Sequence, residues 1–234
     1  MKSENITDSD PRSRLRRYDD ACGAAHALEL VGDRWALLII REMMFGPRRF
    51  GDLRSGLPGI SANVLSQRLG ELEAAGIAVH RRLPPPAASQ VYELTPWGLE
   101  SEPIFQVLGR WAARSPSHDP TLPLSAASLM LSLRTMLDAK KAGSLEARIG
   151  MRLGDDAFRI RLAAGEITAE RGEPDGADLV LSGAAPVLAG AIYGGRPLSE
   201  LEAAGLLAVK GDRALAERFV TLFPLPAKVG AADP

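Results

Sequence analysis

Cys22 is the chain's single cysteine, which excludes an internal disulfide framework and fits a reducing compartment. The opening MKSENITDSDPRSR is charged and has no apolar core, so no signal peptide is expected, and residues 1–14 read as a disordered polar arm. The longest apolar run, Trp35 to Ile40, is far too short to span a bilayer. These absences predict a cytoplasmic protein without a membrane partner. The sequence also lacks a glycine-rich phosphate loop, an HExxH pair and a CxxC pair, and His26, His80 and His118 stand isolated. Ser61, in Gly59-Ile60-Ser61-Ala62-Asn63, lacks the following glycine of a nucleophile elbow. Asp155-Asp156 falls in an expected hairpin turn, where aspartate serves local backbone geometry. No catalytic residue, metal site or cofactor is expected, and the chain does not read as an enzyme.

Lysine is missing from Arg12 to Arg114, where fourteen arginines stand against eleven acidic residues. From Thr121 onward thirteen basic residues meet fourteen acidic ones. Guanidinium offers a planar fork of donors for phosphate and base edges, so the first half permits nucleic-acid binding without demanding it. A length of 234 residues allows two domains of about 100 residues each. The proline- and serine-rich stretch 115–125 is the boundary between a first domain, 15–114, and a second, 126–226, followed by a tail, 227–234.

In the first domain, helical spacing predicts helices over Ala24–Val31 and Trp35–Phe45, the latter capped by Asp33 and stopped by Gly46-Pro47. A short helix from Phe50 to Gly56 follows, then the turn Leu57–Ile60. A helix from Ala62 to Ala75 comes next, with Ser61 as N-cap and Gly76 as stop. Leu65, Leu69 and Leu72 form its inner stripe. Asn63, Gln67, Gly70 and Ala74 lie opposite, with Ser66 and Arg68 on the flanks. A small, amide-bearing outer face can enter the major groove, and Arg68 would serve phosphate. The alternative is the solvated face of a bundle helix. Strands Ile77–Arg82 and Gln90–Leu94, joined by a proline-rich turn, tip the balance toward a winged helix-turn-helix.

Thr95 caps the next helix, whose Trp97, Leu99, Ile104, Phe105, Leu108 and Trp111 make more apolar surface than one small domain needs. A homodimer would bury it and read two half-sites of a (pseudo)palindromic double-stranded DNA. Arg48, Arg49 and Arg54 are candidate phosphate clamps, or ordinary surface charge.

Residues 22–98 resemble the HxlR-type winged-helix regulators. The resemblance is carried by Cys22 with Leu30-Val31-Gly32-Asp33-Arg34-Trp35, then Gly46-Pro47-Arg48-Arg49-Phe50 and Leu57-Pro58-Gly59-Ile60-Ser61. It continues through Leu65, Leu69, Leu72 and Gly76 to Tyr92-Glu93-Leu94-Thr95-Pro96-Trp97-Gly98. It implies homodimers, a recognition helix at Ser61 to Ala75 and regulation at promoters. It also implies a thiol sensor at Cys22 in some members, against the alternative of a small buried hydrophobe. Asp19 and Asp20 would raise that thiol's pKa, with Arg16, Arg17 and the helix N-terminus opposing them. Ser89 replaces the family's usual wing arginine, so Arg81 and Arg82 are the substitutes.

The second half predicts a helix over Ala126–Leu137. Short strands follow at Leu145–Leu153, Ala157–Ala163, Glu166–Arg171, Ala177–Leu181 and Leu206–Val209. Further helices are expected at Ala184–Tyr193 and Leu198–Ala203, and from Asp212 to Phe223. This is an α+β domain, an antiparallel sheet covered by helices, behind a mostly α winged helix-turn-helix with a β-hairpin wing. Ala177–Gly183, Leu206–Asp212 and Leu222-Phe223 resemble the sterol-carrier-protein-2-like fold. That resemblance implies an apolar tunnel contributed by Phe158, Ile160, Leu188, Ile192, Tyr193, Leu215, Phe219 and Phe223, whose alternative is an ordinary filled core. The expected function is a dimeric regulator modulated by an apolar small molecule. Alternatives are a regulator with a filled interaction module, or a lipid carrier or enzyme using the winged helix for protein contacts.

Overall fold

The computed structural model describes residues 18–86 and 88–230. The arm expected over 1–14, the arginines at 16 and 17, and the last four residues of the tail lie outside them.

The first half runs α1 Gly23–Val31, α2 Ala36–Met43, α3 Phe50–Gly56, α4 Ala62–Ala74, β1 Ala78–Arg82, β2 Gln90–Leu94, α5 Pro96–Leu99 and α6 Glu102–Ala113. Local chemistry sets these boundaries. Ser61 accepts from Val64 N at the start of α4, and Gly76 follows the helix at φ +72°, a left-handed turn that favours glycine. Thr95 accepts from Gly98 N, capping α5, while its own hydroxyl donates to Gly76 O at 2.8 Å and tethers the hairpin to α4. Gly98 itself is required, since a Cβ there would lie 2.2 Å from Ile77 O. The single helix expected after Thr95 is two helices. Pro103, without an N–H to donate, fits only the first turn of a new one. Asp33 accepts from Trp35 N at 2.9 Å just ahead of α2 instead of capping within its first turn.

β1 and β2 form an antiparallel hairpin with Ala78 opposite Leu94 and Arg82 opposite Gln90. Arg48 adds a one-residue third strand on the other edge of β2, exchanging both backbone hydrogen bonds with Tyr92 at 2.8 Å.

The second half contains α7 Ala126–Met136, α8 Ala139–Ala142, β3 Ala147–Leu153, β4 Asp156–Ala163, β5 Glu166–Arg171, β6 Leu179–Gly183, α9 Ala185–Ile192, α10 Leu198–Ala203, β7 Leu207–Gly211 and α11 Arg213–Phe219. The sheet order is β5-β4-β3-β6-β7. It is not wholly antiparallel as expected, because β3 and β6 run parallel, with Ile149 opposite Leu179. The long connection through β4 and β5 frees β6 to arrive from the same end as β3. Alternation places Phe158, Ile160 and Leu162 under the helices and leaves Arg159 and Arg161 in water. The last helix stops at Phe219 instead of Phe223, with Val220 as its C-cap.

The two halves share one continuous buried core. Ser125 caps α7 and donates to the buried Glu42 Oε1 of α2 at 2.6 Å. Arg134 of α7 pairs with Glu102 of α6 at 3.0 Å, and Arg110 donates to Thr135 O. Val229 N binds Arg114 O at 2.7 Å, and Lys228 Nζ donates to Ser115 O at 2.9 Å, so the stretch around these two residues lies along the 115–125 connection.

Candidate nucleic-acid interface

Leu65, Leu69 and Leu72 anchor α4, and its opposite side leaves Ser61, Asn63, Ser66, Gln67 and Gly70 exposed. Gln67 Nε2 donates to Glu71 Oε1 at 3.1 Å, a contact one helical turn long that a base edge could replace.

Arg68 departs from the expected flank position. Its side chain is only 9% exposed, 3.3 Å from Asp33 and also paired with Glu71. The spacing explains this: Arg68 is three residues after Leu65 and four before Leu72, so its stem follows the inner stripe. A cleft of about 350 Å³ between α1 and α4 is lined by Leu28, Asp33, Arg68 and Leu72, among others.

Arg49 and Arg54, at the start and within α3, are exposed, and no carboxylate pairs with either among the described residues. Arg48 is held elsewhere. Its Nη1 lies 2.7 Å from Asp156 Oδ1, with 14% of the side chain exposed. A free phosphate clamp at Arg48 is thus not what the fold presents; a partner 108 residues away claims it.

On the wing, Arg81 Nε donates to Glu93 Oε2 at 2.5 Å, and this bond raises the guanidinium pKa. Arg82 is exposed and donates to Ala88 O at 3.3 Å, across the turn that contains Ser89. His80 stacks on Tyr92 with centroids 4.4 Å apart.

The proposed dimer surface is open. Leu99, Ile104 and Leu108 are exposed, and Trp111 is 72% exposed, with Val107 beside it at 71%. Phe105 alone of the expected set turns inward against the core. No residue of α1 is buried.

Cys22 sits at the N-cap of α1 and is exposed. Its thiol pKa is lowered by the amides of Ala24 and Ala25, so the helix N-terminus, expected to oppose the neighbouring aspartates, sets the direction. The carboxylate of Asp20 instead accepts the Cys22 amide at 2.9 Å.

The residues expected to line a tunnel lie among their own kind. Phe158, Phe219 and Phe223 are at most 1% exposed, and Ile160, Leu188, Ile192 and Leu215 are also buried. Phe219 meets Phe223 edge-on at 5.0 Å. Tyr193 Oη is 2.5 Å from Ser132 Oγ, and burial pushes the phenol up to about 12. Phe158 meets Phe45 of the first half at 5.8 Å and lies beneath the Arg171 guanidinium. The seam residues Asp156 and Arg171 carried no sequence signal. Their partners are remote, and an aspartate in a hairpin turn already has a local explanation.

Among the described residues no group of histidine, cysteine, aspartate and glutamate is arranged to hold a metal ion, and no helix is long and apolar enough to cross a membrane.

Residues 30–119 match the family model for the HxlR-like helix-turn-helix, and residues 117–228 match that for the alkyl sulfatase C-terminal domain. The HTH-type transcriptional regulator YodB of Bacillus subtilis is 38% identical over 86 residues, 37% of this chain and 77% of its own length. The regulator YvaP of the same organism is 34% identical over 86 residues, 37% of this chain and 80% of its own. A solved structure of reduced YodB is similar at 34% identity and a TM-score of 0.38, covering 43% of this chain and all of that one. Through its first half, with a wing, a capped fourth helix and matched relatives, the chain belongs to the HxlR-like helix-turn-helix family of transcriptional regulators.

Proposed function

We propose that the chain is a homodimer that binds (pseudo)palindromic double-stranded DNA, with α4 in the major groove. The observation that carries this reading is the exposed Ser61, Asn63, Ser66 and Gln67 face of α4 together with the exposed Arg49 and Arg54. Asn63 and Gln67 read base edges, Arg49 and Arg54 hold phosphates, and Arg82 reaches from the wing. The exposed stripe from Leu99 to Trp111 pairs the two copies. Selection of bound sequences from a random duplex pool tests this: an inverted repeat is expected, and recovery of no common sequence would overturn it.

For the second half we infer a sterol-carrier-protein-2-like fold. Supporting this are a sheet with helices on its buried face and the match to the alkyl sulfatase C-terminal model. An apolar effector bound there would alter DNA affinity through its differential affinity for two conformations, commonly about 1–3 kcal/mol. The dense burial of Phe158, Phe219 and Phe223 favours a second reading, a filled module that braces the winged helix. Titration with fatty acids, sterols and aromatic compounds, followed by DNA affinity, separates the two. Ligand binding that changes DNA affinity supports the sensor; no binding by any of them supports the brace.

A further inference from the structure

Three side chains meet where the second half touches the wing. Asp156, at the start of β4, takes Arg48 Nη1 at 2.7 Å and also pairs with Arg171. Arg171 ends β5 directly opposite Phe158 in the sheet register, with its guanidinium carbon 4.8 Å from the centre of that ring. The ring in turn packs on Phe45. Two guanidinium groups thus share one carboxylate in a seam where each side chain is at most 20% exposed. Burial, followed by the charge of Arg48, lowers the Arg171 pKa. Arg48 Nε, Arg171 Nε and Arg171 Nη2 have no hydrogen-bond partner there.

The position of Arg48 gives this cluster a meaning. Its backbone bridges to β2 as the wing's one-residue third strand, and the next residue is the exposed Arg49 that opens α3. It therefore belongs to the same short basic stretch as Arg49 and Arg54, yet it alone is neutralised, and by the other half of the chain.

We propose that Asp156 is an intramolecular mask: docking of the second half withdraws Arg48 from the phosphate-binding set, and undocking returns it. The proposal rests on the DNA-binding reading above. Asp156 and Phe158 lie two residues apart on one strand, so a change in packing around Phe158 reaches Arg48 through a rigid segment. Asp156 is a positioning residue here, acting on DNA only through Arg48.

The test uses the full chain and a mixed-sequence DNA duplex, because phosphate contacts are independent of sequence. Affinity is followed by fluorescence anisotropy between low and moderate salt. Asp156→Asn is expected to bind more tightly, with a salt slope steeper by about 0.9 per protomer. For a dimer, that makes the affinity loss between 50 and 200 mM salt roughly tenfold larger. Adding Arg48→Ala to Asp156→Asn is expected to abolish the gain. Should Asp156→Asn not fold, Asp156→Asn with Arg171→Gln removes one charge of each sign and keeps the seam's net charge. It is expected to steepen the slope by the same amount.

Equal slopes for the parent and either folded variant would overturn the mask, as would a gain that survives Arg48→Ala. If the parent shows no salt-dependent DNA binding, the DNA-binding reading falls and the mask with it. Measurable parent binding with unchanged slopes removes the mask alone.

Discussion

Phe45, just beyond the end of α2, meets Phe158 of β4 edge-on, with ring planes at 88° and centroids 5.8 Å apart. One ring belongs to the helix-turn-helix and the other to the sheet. Both are buried, so each half completes the other's core. Replacing Phe158 with alanine is expected to cost about 3–5 kcal/mol in urea unfolding. A double-mutant cycle with Phe45→Ala should return a coupling of about 0.5–1.5 kcal/mol. A coupling of zero would mean that this ring pair contributes nothing to holding the two halves together.

The recognition face predicts two distinct phenotypes. Gln67→Ala is expected to relax sequence preference at one position of each half-site, at a cost of about 1–3 kcal/mol on the preferred base. Arg54→Ala should weaken binding to all sequences alike and reduce the salt slope by about 1 per contact. Parent-like specificity from Gln67→Ala would move the reading face elsewhere on α4.

Trp111 and Val107 are the most exposed large hydrophobics of α6. Trp111→Glu places a charge within the proposed dimer contact, where leaving it unpaired is costly. Sedimentation is expected to show a dimeric parent and a monomeric variant of unchanged far-UV spectrum. A parent that sediments as a monomer at all concentrations would refute the pairing through this helix.

The exposed thiol of Cys22 is held below the ordinary range by the first amides of α1. The lowered pKa means that thiolate is present at pH values where an ordinary thiol is protonated. Its rate of alkylation by iodoacetamide should therefore rise with a midpoint below the ordinary thiol value of about 8.5. A midpoint at or above that value would show that the amides do not stabilise the thiolate.

Gly98 stands where the wing hairpin, α4 and α5 converge, and Ile77 O occupies the space that a side chain would need. Gly98→Ala is expected to cost about 1–3 kcal/mol, as overpacking of a tight core does, and to lower the melting temperature. Thermal unfolding indistinguishable from the parent would mean that the hairpin can shift at little cost.

Much of this architecture was legible because its causes are local. Ser61, Thr95 and Asp212 cap helices through atoms three residues away, and the alternation of β4 needs only its own eight residues. The inner leucines of α4 and the exposed Asn63 and Gln67 follow from one helical period. Three features were not legible. Arg68 looked available because its charge suggested water, whereas Asp33, from a different helix junction, drew it inward. The parallel pairing of β3 with β6 depends on how a long connection closes, which strand patterns leave open.

The third is the fate of Arg48. The sequence by itself determined that a basic stretch precedes a short helix in a winged fold, since local spacing and caps carry that information. Only the tertiary structure decided that Arg48 faces Asp156, because the energy of an ion pair depends on distance and burial, which no separation along the chain records. The same holds for Phe45 and Phe158, two apolar residues whose partners were open until the halves docked.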